Sequence, residues 1–171
     1  RQSLAGGLPM SAIVGRKEII ESLEAPAHLF TTGANPVSCE AALATLEMIE
    51  EDDLLTASSE KGNYVRQRMD QWVTKYDYVG DVRGIGLSIG IDIVSDKETK
   101  TRASQEALKI CNYCFEHGLV IIAVDGNVLR FQPPLVITYE QLDYALDTLE
   151  DALQALQEGR LDQYDINGQG W

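Results

Sequence analysis

The sequence predicts an α+β fold in which helices pack on one face of a small, mostly antiparallel sheet. Two observations carry this expectation. From Val79 onward the periodicities run strand, helix, strand pair, helix, and the strand pair is joined by the tight turn Asp125-Gly126-Asn127, which makes it antiparallel.

Residues 1–34 are irregular and dense in Gly, Pro and small side chains, with one short apolar run, Ala12-Ile13-Val14, expected as a buried strand. Asn35-Pro36 then supplies an N-cap followed by Pro at the first helical position. Behind it Val37, Ala41, Ala44 and Met48 keep helical spacing, which predicts about four turns of helix. Asp52 and Asp53 open a second helix, with Val65, Met69, Trp72 and Tyr76 on one face. Leu87, Ile89, Ile91 and Ile93 alternate with small or polar residues and predict a half-buried strand. A helix follows from about Thr101 to His117, with Leu108, Cys111 and Phe115 expected inward and Gly118 at its C′ position. Leu119–Ile122 and Val128–Phe131 are the strand pair. Thr138 and Gln141 form a capping box before the last helix, where Leu142, Ala145, Leu146, Leu149, Ala152, Leu153 and Leu156 stay in phase until Gly159.

Charge narrows the partner classes. With 27 acidic against 14 basic side chains the net charge is −13, and the basic residues are scattered singly, so neither nucleic acid nor an anionic membrane surface is expected as a partner. The apolar runs fall short of the ~20 residues needed to span a bilayer. Three cysteines, 39, 111 and 114, suit reduced thiols in a cytoplasmic protein. The opening, Arg1-Gln2-Ser3-Leu4, without Met and running into a glycine-rich turn, reads as a cut end.

Most motifs that could carry chemistry have plainer readings. Gly6-Gly7 in Leu4–Pro9 reads first as a loop. Gly84-Ile85-Gly86-Leu87-Ser88-Ile89-Gly90 misses a dinucleotide fingerprint, because its third glycine falls one residue late and the glycines enter a strand instead of leaving one. Cys111 and Cys114 have metal or redox spacing but no second pair, so core packing is the expectation. His117 reads as a helix C-terminal cap and His28 as a loop residue near a turn. Two features point further. Thr31-Thr32-Gly33-Ala34-Asn35-Pro36 sets hydroxyls and backbone N–H groups just ahead of a helix, a place suited to phosphate. Arg130 stands in the apolar strand Val128-Leu129-Arg130-Phe131 and calls for an anionic partner, either a carboxylate of the protein or that of a small-molecule acid.

Together these residues resemble the class III aminotransferases, a branch of the fold-type I pyridoxal-phosphate enzymes. Four blocks match in order: Ser3-Leu4-Ala5-Gly6-Gly7-Leu8-Pro9, Thr31–Pro36, Val82-Arg83-Gly84-Ile85-Gly86-Leu87, and Arg130 ahead of Pro133-Pro134. Within the family the wording around Gly6 and Thr31 is most similar to the isoleucine 2-epimerase type, with 4-aminobutyrate aminotransferases, which share all four blocks, as the alternative. The resemblance implies the C-terminal part of such an enzyme: a remnant of the large cofactor domain over 1–50, a connecting helix over 51–78 and a small domain over 79–171.

It also implies roles. Thr31, with Thr32 beside it, reaches the cofactor phosphate across a dimer interface, and Arg130 holds the carboxylate of a small amino-acid substrate. The lysine that anchors pyridoxal 5'-phosphate and moves the substrate's α-proton falls on Gln2, whose carboxamide can do neither. The aspartate that pairs with the pyridine nitrogen would lie upstream of Arg1. The expectation is therefore a chain inactive by itself, without covalently bound cofactor, from a homodimeric or larger parent. An expectation of another class is a non-catalytic domain that self-associates through residues 1–50.

Overall fold

The computed structural model describes residues 4–24 and 30–164, and Gln2 and His28 lie outside them. The chain divides into two compact units, residues 1–55 and 56–171.

The first unit contains a single turn, α1 (Lys17–Ile20), and the four-turn helix α2 (Pro36–Glu51). The start of α2 follows its sequence signal. Asn35 is extended, its side chain accepts from the Ser38 N–H at 3.0 Å, and Pro36 fills the first helical position, where no N–H is needed. The strand expected at Ala12–Val14 does not form: Ile13 and Val14 are exposed, and no described segment pairs with them. Apolar character alone does not make a strand without a neighbour to take its backbone hydrogen bonds.

The second unit begins within α3 (Leu54–Lys75) and continues through β1 (Val79–Ile85), β2 (Ser88–Asp96), β3 (Thr101–Arg102), α4 (Ser104–Glu116), β4 (Ile122–Val124), β5 (Val128–Phe131) and α5 (Tyr139–Gln157). The sheet is antiparallel throughout, in the order β1-β2-β5-β4, with the two-residue β3 paired to the far end of β2. Ile89, Ile91, Ile93, Leu129 and Phe131 face inward and meet Val65, Met69, Trp72 and Tyr76 of α3 and Leu142, Leu146, Leu149 and Leu153 of α5 in one core. Burying a side chain of this size contributes about 1.5–3 kcal/mol, which fixes the helices to that one face.

The one strand expected after Val79 is in fact the hairpin β1–β2. Gly86 adopts a left-handed conformation at its tip, φ +53°, where the chain reverses to pair Ile85 with Ser88. Helix α4 is rotated by one residue from expectation: Ala107, Ile110 and Cys114 are buried, whereas Phe115 is 69% exposed. Pairing of the second hairpin starts at Ile122, not Leu119, because the Leu119 N–H bonds back to the Cys114 carbonyl at 2.8 Å to close the helix end at Gly118.

Helices α3 and α5 are tied by charge as well as by packing. Arg68 bonds to Asp147 and Glu150, and Lys75 to Glu150, each at 2.6 Å. Burial alone would push the Glu150 carboxyl up, but the bonds from Lys75 and Arg68 hold it below the ordinary glutamate value of 4.5. A lowered carboxyl contributes stability that is present above its unfolded value and lost as pH falls through its folded one. Acid unfolding followed by circular dichroism should therefore show Glu150→Gln losing less stability than the wild type between about pH 5 and 3.

Candidate functional site

The phosphate-like feature lies in the first unit. Thr31 to Ala34 form a tight turn closed by the Gly33 N–H donating to the Phe30 carbonyl at 3.1 Å, and Ala34 takes a left-handed φ of +53°. Both threonines are exposed. The Gly33 and Ser38 N–H groups are already bonded and Pro36 has none, while the side-chain hydroxyls of Thr31 and Thr32 show no hydrogen bond among the described residues and are donors open to a ligand. No acidic residue occurs between Phe30 and Cys39. That donor set suits a phosphate: hydroxyls to donate and no carboxylate to repel it.

The second feature lies in the other unit. Residues of β5 alternate, with Leu129 and Phe131 in the core and Val128 and Arg130 on the opposite face of the sheet. Cross-strand pairing places Arg130 between Gly90 of β2 and Ile122 of β4, and Gly90 is in turn opposite Arg83 of β1. Arg130 is exposed, so water and not a buried anion satisfies it, contrary to the demand read from its apolar neighbours. Of the two partners left open by the sequence, a carboxylate of the protein is not found among the described residues. Every other described arginine has an ion pair, as Arg16, Arg66, Arg68, Arg83, Arg102 and Arg160 do; Arg130 has none among the described residues.

A groove of about 530 Å³ opens beside Arg130, between the Gly118–Ile121 segment, the Gln132–Ile137 segment and the first turns of α5. Sequence reasoning missed it. The one signal available was Pro133-Pro134, which ends β5 and turns the chain aside.

The hairpin carrying Arg130 is pinned at its turn. Asn127 is 2% exposed, and its amide donates to Asp92 Oδ1 at 2.6 Å and to the Ile93 carbonyl at 2.8 Å. The Arg102 guanidinium grips the Asp125 carboxylate at 2.9 Å and its carbonyl at 3.0 Å. A slip by one residue would turn Arg130 into the core, so these bonds determine which face it occupies.

The remaining sequence candidates take structural roles. Gly6 and Gly7 lie in a turn closed from Leu8 N–H to the Ala5 carbonyl, both with positive φ. The Cys111 and Cys114 thiols are free, and burial pushes them up to about 11 and about 12, which keeps them protonated and unreactive. His117 caps α4, with its ring stacked on Tyr113 and Nδ1 at 2.8 Å from the Tyr113 carbonyl. Among the described residues no group of His, Cys, Asp and Glu could hold a metal, and no helix is long and apolar enough to cross a membrane. The structure thus brings Thr31 and Thr32 into one turn and sets Arg130 at the rim of a groove, each in its own unit.

Comparison with known proteins supplies a context for both features. The family profile described as aminotransferase class-III matches residues 2–153. The chain is 50% identical over 160 residues to the isoleucine 2-epimerase of Lentilactobacillus buchneri, covering 94% of this chain and 36% of that protein. It is 50% identical over 158 residues to the leucine/methionine racemase of Thermococcus litoralis, covering 92% and 36%. Among solved structures, an amine transaminase from an uncultivated Pseudomonas species, in its PLP-bound form, superposes with a TM-score of 0.71 at 30% identity, covering 76% of this chain and 30% of that one. The chain therefore spans about a third of the length of the relatives it matches.

Proposed function

The chain belongs to the class-III aminotransferase family, whose solved neighbours include PLP-bound enzymes, and we propose that it is the C-terminal part of a pyridoxal-phosphate-dependent amino-acid epimerase. In this reading residues 1–50 belong to the large cofactor domain, residues 51–78 connect, and residues 79–171 are the small domain. The observation that carries it is Arg130, which has no ion pair among the described residues. In a chain where every other described arginine has a carboxylate, the one without stands where the family resemblance puts the substrate's carboxylate.

Arg130 offers two parallel N–H donors to that carboxylate, which fixes both the position and the orientation of the amino acid. Thr31, with Thr32 next to it, donates hydroxyl hydrogen bonds to the cofactor phosphate. Pyridoxal phosphate, when bound, supplies the electron sink that makes the α-proton of an amino acid removable. Holding the carboxylate leaves the α-carbon in place while its proton departs, so that return to the opposite face inverts the centre. Gln2 occupies the position of the family's lysine, and its carboxamide can neither hold the cofactor covalently nor accept a proton. By itself, then, the chain binds cofactor at most without a covalent bond and does not turn over. In the whole enzyme the partners are a small amino-acid substrate and a second copy of the chain, and its location is the cytoplasm.

Epimerisation is favoured over transamination because both 50%-identical relatives are named for interconverting stereoisomers. The complete enzyme that contains this segment, carrying Gln2→Lys, should interconvert L-isoleucine and D-allo-isoleucine with no oxo acid added, followed by chiral chromatography, while the Gln2 form should not. Product formation that depends on an added oxo acid would make it an aminotransferase instead.

A further inference from the structure

The sheet face turned away from the helices carries a set of charges that leads to Arg130. On β1 and β2, Asp81 stands directly opposite Asp92, and further along Arg83 stands opposite Gly90, which pairs on its other side with Arg130. Their inward neighbours Val82, Ile89, Ile91 and Leu129 lie in the core, so these charged side chains share the outer face. Two carboxylates set directly across a ladder repel each other. The Arg83 guanidinium offsets both: its Nη1 lies 3.0 Å from Asp81 Oδ2 and 3.6 Å from Asp92 Oδ2. The other Asp92 oxygen accepts from the Asn127 amide at 2.6 Å. Both Asp92 oxygens thus have partners, and its side chain is only 20% exposed. Arg130 is left open by that arrangement. Asp92 pairs with Val128, two residues before Arg130, and is therefore a diagonal neighbour of Arg130 across the β2–β5 ladder. Diagonal neighbours stand about 7–8 Å apart, which a long side chain spans. Yet the ion pair of Asp92 runs to Arg83 and not to Arg130.

We infer that Arg83 is a positioning residue: by holding Asp81 and Asp92 it keeps the guanidinium of Arg130 open to a substrate carboxylate. The inference rests on the reading of Arg130 as the carboxylate anchor. Without Arg83, Asp92 loses the cation on its Oδ2, and the next guanidinium within reach on that face is Arg130. The anchor is then closed by the protein's own acid. Two carboxylates without a counter-charge also repel the incoming one. Asn127 sharpens the effect, because its bond to Oδ1 leaves Oδ2 as the Asp92 oxygen free to change partners.

Arg83→Gln in the complete enzyme carrying Gln2→Lys tests this. The Arg83 side chain is 55% exposed, so the substitution does not put folding at risk. KM for the amino acid should rise about two- to fivefold, the degree to which an exposed ion pair of ordinary strength would occupy Arg130, while kcat stays within about twofold. Adding Asp92→Asn should bring KM back, because the asparagine oxygen still accepts from Asn127 while its neutral amide offers Arg130 no charge. NMR of the same proteins gives a readout apart from turnover: Arg83→Gln should shift the Arg130 side-chain Nε–H signal, and Asp92→Asn should reverse the shift. A rise in KM that Asp92→Asn does not reverse would overturn the inference, since Arg83 would then touch the substrate itself or merely support the sheet. Should Arg83→Gln move neither KM nor the Nε–H signal while Arg130→Gln still raises KM, Arg83 has no such role and the anchor stands. If Arg130→Gln itself leaves KM unchanged, the anchor falls and the role of Arg83 with it.

Discussion

In the complete enzyme with lysine restored by Gln2→Lys, replacing Arg130 with Gln should lower kcat/KM for its amino acid by about a hundredfold or more, since removing one partner of a close charge pair costs on the order of 2–5 kcal/mol. The loss should appear mainly in KM. Glutamine keeps one amide donor in place of two parallel guanidinium donors and carries no charge, so the substrate's carboxylate is held loosely in both the ground state and the transition state. Arg130→Lys should recover only part of the loss, because an ammonium restores the charge and not the fork. Stability should not change. Arg130 is exposed and has no ion-pair partner among the described residues, which is why its effect on substrate can be separated from any effect on folding. Steady-state kinetics and thermal unfolding on the same samples check both halves; a fall in melting temperature that parallels the loss of activity would count against the assignment.

The second large effect is on stability and runs against helix propensity. Gly62 lies inside α3, where glycine to alanine ordinarily stabilises a helix by about 1 kcal/mol. Here the change should destabilise, by about 1–3 kcal/mol, as overpacking does. A Cβ at Gly62 would stand 2.6 Å from the Cα of Gly86 and collide with its carbonyl, because the tip of the β1–β2 hairpin rests directly on the helix backbone. Backbone atoms cannot rotate aside as a flexible side chain can. The neighbouring Ser58 adds to the contact, its Oγ 3.4 Å from the Leu87 N–H. Urea denaturation of Gly62→Ala should show a lower midpoint with an unchanged slope. A raised midpoint would mean that the hairpin does not press on the helix.

These contacts also mark the limit of what could be read in the sequence. The signals that were legible are local: the Asn35-Pro36 helix start, the Thr138–Gln141 capping box, the left-handed Gly118, and the stripe Val65-Met69-Trp72-Tyr76. Each depends on residues within about three turns of one another. What was misread depends on contacts between distant segments. Helix α4 carries two apolar stripes one residue apart, Ala107-Ile110-Cys114 and Leu108-Cys111-Phe115, and periodicity cannot rank them. The sheet takes the first, where Ala107 lets the backbones approach. Gly84 and Gly86 read as punctuation before a strand, whereas the strand had already begun at Val79 and turned at Gly86.

The candidate site divides in the same way. Arg130 and Thr31 stand out as residue types in context, and the resemblance names their roles. That Arg130 lacks a carboxylate among the described residues, and that an apolar groove opens at its side, are facts about which distant residues fold back on it. Gly118–Ile121, Gln132–Ile137 and the start of α5 meet only in the folded chain.

The measurement that bears most directly on these assignments is a paired one on the complete enzyme carrying Gln2→Lys: cofactor affinity and substrate KM, each determined for Thr31→Val and for Arg130→Gln. Valine keeps the shape of threonine and removes its hydroxyl, so Thr31→Val should weaken cofactor binding by about tenfold or more, the worth of about one hydrogen bond to a charged group, and leave KM nearly unchanged. Arg130→Gln should do the reverse, raising KM with cofactor affinity intact. If both substitutions shift both quantities equally, or neither moves its own, Thr31 does not hold the phosphate and Arg130 does not hold the carboxylate.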